Sequence, residues 1–149
     1  MKEIGIGIVG GGYMGKAHAV AMSAVGAVFN TNLRPRLEMV CGSSPKTSKK
    51  YCEAYGFKRA ANNWEELVKD ERVEAVIIAS PQSTHLKIAL MAMSLRKPVF
   101  CEKPLGVSVE DGKKMVAAAE KSGAVNMICL LYTSPSPRDL STSRMPSSA

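Results

Sequence analysis

Three groups of residues have types and spacings that could do chemistry. Gly10, Gly12 and Gly15 form a G-x-G-x-x-G run directly after the apolar residues 4–9. Glycine suits each place: Gly10 for a tight turn, Gly12 so that backbone can approach a pyrophosphate, Gly15 for close helix–strand packing. A helix starting there offers free N–H groups and its positive dipole end to the phosphates. A glycine-rich turn with no ligand is the competing reading; a strand before and a helix after favour the ligand. Tyr13 and Met14 fill the intervening positions, Tyr13 beside a cofactor and Met14 facing the core. The second group ends the next apolar run, Cys41-Gly42-Ser43-Ser44, with Lys46 just beyond. An NAD site usually carries a carboxylate there for the ribose hydroxyls. Hydroxyls of Ser43 and Ser44 plus the Lys46 cation suit a 2′-phosphate instead, which tilts the cofactor toward NADP over NAD. Lys46, Lys49 and Lys50 as a solvated helix face is the alternative. The third group is Ser80-Pro81-Gln82-Ser83-Thr84-His85 together with Glu102-Lys103-Pro104.

Alternating strands and helices would position these residues. Residues 4–9, 37–41, 75–79, 98–101 and 125–130 read as strands, being short, apolar and rich in β-branched side chains. Helices are expected over 14–24, 46–55, 63–69 and 83–95, and from a Ser108 cap to Gly123. Ser44-Pro45 supplies a cap and an N1 proline, and Glu110 and Asp111 lie in the first turn after Ser108. Residues 26–35 read as a long loop. The rhythm predicts an α/β, Rossmann-type, doubly wound parallel sheet in a single domain. Both motifs of the third group then fall at carboxyl ends of strands, the edge where such sheets bind ligands. From spacing alone, Lys103 is a surface lysine in a strand-end turn. His18 is expected to be structural, bonding back to the glycine loop, and His85 to lie on the cofactor side.

Composition removes other classes. The 20 Lys and Arg outnumber the 13 Asp and Glu, for a net charge of +7. The basic residues are nevertheless dispersed and aromatics are only 5%, so no nucleic-acid platform is expected. No apolar run approaches the ~18 residues of a membrane span. The four cysteines, Cys41, Cys52, Cys101 and Cys129, have no C-x-x-C spacing, which argues against a metal site and suits a reducing cytoplasm.

The three motifs, in order and at these spacings, resemble the N-terminal domain of the Gfo/Idh/MocA oxidoreductases over roughly residues 2–128. The G-x-G-x-x-G-x-x-H pattern is met by Gly10, Gly12, Gly15 and His18. The T-P-N-x-x-H pattern is met by Pro81 and His85, with Ser80 and Gln82 as replacements. The G-K-x-V-x-x-E-K-P pattern is met by Lys97, Val99, Glu102, Lys103 and Pro104, with Arg96 in place of glycine. The resemblance implies NAD(P)-dependent hydride transfer to or from a sugar, cyclitol or related polyol. It makes Lys103 the catalytic residue, hydrogen-bonding the reacting oxygen, and Glu102 its orienting partner or a contact of the nicotinamide ribose. Ser80, Pro81 and Gln82 would line the nicotinamide region.

The resemblance also implies a second, substrate-binding domain, which the sequence lacks, and a homo-oligomeric parent. Residues 129–149 hold six Ser, two Thr and three Pro. They read as a disordered native tail or, the favoured expectation, as foreign sequence joined to a truncated frame. The expected function is therefore the cofactor-binding part of a dehydrogenase, inactive alone. A non-catalytic nucleotide-binding or redox-sensing module is the alternative.

Overall fold

The computed structural model describes residues 2–129. Six strands form one sheet in the order β3-β2-β1-β4-β5-β6, and every neighbouring pair is parallel. They are β1 (Lys2–Val9), β2 (Leu33–Cys41), β3 (Arg59–Ala60), β4 (Ala75–Ile78), β5 (Val99–Cys101) and β6 (Asn126–Ile128). Helices α1 (Tyr13–Val28), α2 (Pro45–Tyr55), α3 (Trp64–Lys69), α4 (His85–Ser94) and α5 (Val109–Ser122) connect them. A 3-10 turn, Gln82–Thr84, leads into α4. The order reverses direction between β1 and β4, which makes that boundary the switch point of a Rossmann sheet.

Parallel strands covered on both faces send alternate side chains into two cores. Ile6 and Ile8 of β1 and Ile77 of β4 join Ala19, Met22, Tyr51 and Phe57 on the α1–α2 face. Val9, Val76 and Ile78 join Leu67, Ile88, Ala89 and Met115 on the other. Ile8, Val40 and Ile78 are wholly buried.

Several boundaries differ from the sequence expectation. Residues 26–35 do not form a long loop: α1 runs on to Val28 and β2 starts at Leu33. Gly26 is absorbed because it has ordinary helical backbone, and Phe29 closes the helix with its N–H on the Val25 carbonyl. Pro35 fits in β2 because β3 pairs only with Met39 and Val40. At Pro35 that side of β2 has no ladder for a missing N–H to break. The two-residue β3 is too short to show a period. Cys129, assigned to the tail, is buried and donates its N–H to the Cys101 carbonyl. The expected tail otherwise lies outside the described residues.

The caps read from the sequence are formed. Ser44 and Thr47 make a reciprocal capping box on α2, with Pro45 at N1. Ser108 caps α5 as expected, whereas Asn63, expected as the first residue of its helix, is the cap of α3. Gly56 and Gly123 end α2 and α5 in the left-handed region, at φ 75° and 63°. Arg96 does the same after α4 at φ 55°.

β2 carries a bulge. Ile6 pairs with Leu37 but Gly7 pairs with Met39, so Glu38 has no partner across the ladder. Its side chain is buried and takes hydrogen bonds from Arg36 Nε at 2.8 Å and Arg59 Nε at 2.9 Å. Arg59 also grips Asp70 through two bonds of 2.6 Å. This network lies at the amino end of the strands, opposite the motifs.

Candidate dinucleotide site

All three sequence motifs meet at the carboxyl edge of the sheet. β1 ends at Val9, and Gly10 turns the chain at φ 100°, where an L side chain is strained. A Cβ on Gly10 would also lie 2.4 Å from the Ala79 carbonyl carbon. One on Gly15 would lie 1.9 Å from the Gly10 oxygen, so α1 packs as close to the turn as glycine alone permits. At Gly12 a Cβ would meet nothing within 4 Å. That side is open for a ligand to touch backbone. Gly12 is the N-cap of α1 and supplies no side-chain cap. The first N–H groups of a helix have no intrahelical partner. Two glycines enforced by contact, an open third and an uncapped helix start fit a pyrophosphate. Tyr13 is 88% exposed beside this opening, and Met14 is half-buried.

A cleft of about 340 Å³ opens from the turn. Val9 and Gly10, Cys41–Ser43, and Ser80–Pro81 form its strand-end walls, so the switch point lies on its floor. Asn62, Asn63 and Trp64 close it from the start of α3. These three were not expected from sequence; no motif marks them, and only the packing of α3 beside β2 brings them in.

At the ribose end the groups divide. Ser44 is committed to α2: its Oγ accepts from the Thr47 N–H at 3.2 Å. Ser43 and Lys46 are exposed. Gly42 N–H is held by buried Ser48 Oγ at 2.9 Å, which fixes the end of β2. Burial pushes the Cys41 thiol up to about 11 and the Cys101 thiol up to about 12. Both stay protonated near neutrality and are poor nucleophiles.

The two histidines brace the site from behind. His85 is 1% exposed, so its ring does not line the cleft as expected. Its Nε2 lies 2.8 Å from the Ser80 carbonyl and its Nδ1 lies 3.0 Å from the Pro104 carbonyl. It therefore ties the loop after β4 to the loop after β5. His18 does not bond back to the glycine loop either. Its Nε2 donates to Glu102 Oε1 at 2.7 Å, and its ring meets Phe100 edge-on at 5.0 Å. Helix α1 and the Glu102-Lys103-Pro104 turn are linked by this bond. Glu102, 4% exposed, is thus turned inward toward α1. Lys103 and Gln82 are exposed. Ser80 and Thr84 hydroxyls bond at 2.6 Å and shape the turn that carries Pro81.

Known proteins are similar to this chain in sequence and fold. The chain is 30% identical over 133 residues to levoglucosan dehydrogenase of Pseudarthrobacter phenanthrenivorans, covering 89% of this chain and 34% of that one. It is 34% identical over 125 residues to inositol 2-dehydrogenase of Rubrobacter xylanophilus, covering 82% and 33%. It thus spans about a third of the length of these relatives. Among solved structures, an NAD binding oxidoreductase from Klebsiella pneumoniae superposes with a TM-score of 0.83 at 32% identity, over 85% of this chain and 34% of that one. Levoglucosan dehydrogenase in complex with NADH and levoglucosan gives 0.83 at 30% identity, over 85% and 34%. The model of the Gfo/Idh/MocA oxidoreductase family, NAD-binding Rossmann fold, matches residues 4–129. Glycine turn, switch-point cleft and family match agree: the chain belongs to the Gfo/Idh/MocA oxidoreductases and comprises their NAD-binding Rossmann domain.

Proposed function

We propose that this chain is the cofactor-holding part of an NAD(P)-dependent oxidoreductase acting on a hydroxyl-bearing carbon of a sugar or cyclitol. The observation that carries the reading is the open, uncapped Gly12 turn at the head of a switch-point cleft. The backbone from Gly10 to Gly15 holds the pyrophosphate. The cleft walled by Ser43, Asn63 and Trp64 takes the adenosine half. Ser80, Pro81 and Gln82 lie along the path to the nicotinamide. When bound, the nicotinamide supplies the hydride donor or acceptor. Lys103, exposed at the carboxyl edge, holds a proton at Nζ for the reacting oxygen. Glu102 and His85 set the position of the turn that carries it, through His18 and through the Ser80 and Pro104 carbonyls.

At the ribose, Ser43 and Lys46 favour a 2′-phosphate, and residues 42–46 contain no carboxylate to repel one. Ser44 takes no part, because its hydroxyl caps α2. NADPH is expected to bind more tightly than NADH in a fluorescence titration of this chain. Ser43→Asp is expected to reverse the order, since a carboxylate repels the phosphate but accepts from ribose hydroxyls. An unchanged ratio of the two Kd values in the variant removes the NADP assignment. Absence of binding by either nucleotide removes the whole reading.

A further inference from the structure

Helix α2 lends two aromatic rings to the glycine turn. Tyr51 and Tyr55, one helical turn apart, stack with ring centroids 5.6 Å apart and planes 11° from parallel. Tyr51 fills the place a side chain on Gly11 would need: a Cβ there would lie 1.9 Å from its Cδ2. Gly11 stands outside the G-x-G-x-x-G pattern, and this ring explains why it too is glycine. Tyr55 reaches further. Its hydroxyl donates to the Gly11 carbonyl at 3.0 Å, across 44 residues of sequence.

The Gly11–Gly12 peptide is trans, since Lys103–Pro104 is the cis bond among the described residues. In a trans peptide the C=O and N–H point in opposite directions. Fastening the Gly11 carbonyl to α2 therefore turns the Gly12 N–H away from α2. That direction adds it to the uncapped donors of the first turn of α1. A carbonyl without this tie is free to rotate with its plane and present an oxygen where an anion sits. The two orientations differ by exchange of a donor for an acceptor against negative charge.

We propose that Tyr55 is a positioning residue for the cofactor pyrophosphate, acting through the Gly11–Gly12 peptide without touching the cofactor. The proposal rests on the dinucleotide reading above. Tyr55→Phe in this chain tests it, because the ring stack stays and one O–H goes. Tyr51→Phe is the control, removing a hydroxyl that does not serve Gly11. The probes are ADP-ribose, which carries the pyrophosphate, and adenosine, which does not, both titrated by amide chemical-shift changes. Loss of one neutral hydrogen bond is expected to weaken ADP-ribose about fivefold to tenfold in Tyr55→Phe. Adenosine affinity, and both affinities in Tyr51→Phe, are expected to stay unchanged. The Gly12 amide shift on adding ADP-ribose is expected to shrink in Tyr55→Phe alone. Equal ADP-ribose affinity in Tyr55→Phe and the parent chain overturns the proposal, as does an equal loss for adenosine. If the unaltered chain binds neither ligand, the dinucleotide reading fails and this inference falls with it.

Discussion

Arg96 occupies the place where the family pattern has glycine, and its backbone shows the cost. The end of α4 is a Schellman motif: Lys97 N–H bonds the Ala92 carbonyl at 3.0 Å and Arg96 N–H bonds the Met93 carbonyl at 2.9 Å. The residue between cap and closure must be left-handed, and Arg96 sits at φ 55°. An L side chain there costs roughly 1–2 kcal/mol, part of which a glycine returns as unfolded-chain entropy. Arg96→Gly is therefore expected to raise stability by about 0.5–1 kcal/mol in urea unfolding. Arg96 is exposed, so little packing is lost. A neutral or destabilising result means that the left-handed turn is not where the strain lies.

Between elements, a charge network joins β2, β3 and the end of α3 beside the buried Leu67, Val68 and Val73. Arg59 of β3 joins Glu38 of the β2 bulge to Asp70 at the end of α3. The hydrogen bonds from Arg59 hold the Asp70 carboxyl down to about 2, against an ordinary 3.8. A lowered folded-state value means that Asp70 adds stability above pH 3.8, and that this is lost as pH falls toward 2. Because the pair is partly solvated, its worth is on the order of 1 kcal/mol. Asp70→Asn is expected to lower the Tm at pH 7, with the gap to the parent chain closing as the pH approaches 2. A gap that persists at low pH assigns the loss to packing and not to the ion pair.

For the whole molecule, the site is a joint between elements, so a ligand in it should tie them together. The glycine turn, the strand ends, the start of α3, the loop after β4 and α4 all border one cleft. A ligand bound only by the folded chain adds about 2.7 kcal/mol at a concentration 100 times its Kd. For a domain of this size that is a rise in Tm of roughly 10 °C. Thermal unfolding with increasing NADPH is expected to show such a concentration-dependent rise in this chain. A Tm independent of NADPH counts against the site.

The sequence by itself determined the parallel α/β sheet, its strand–helix rhythm, the caps at Ser44 and Ser108, and the glycine turn. Those features are local: a period, a cap residue or a missing Cβ acts within a few neighbours along the chain. The edge on which the motifs meet was legible too, because a parallel sheet puts all its strand ends on one side. Tertiary structure alone decided the partners of polar side chains. His18 could have bonded its own loop, but folding sets it beside Glu102, 84 residues away. His85 carries a motif position, yet burial between two loops makes it a brace rather than a lining residue. Ser44 and Ser43 are alike in sequence, and the capping box commits one and spares the other. Tyr55 had no motif to announce it; its bond to Gly11 exists because β1 and β2 are neighbours, which sets α2 against the glycine turn. Hydrogen bonds are short and directional, so which ones form depends on ångström placement between distant segments, and that is fixed only once the sheet is assembled.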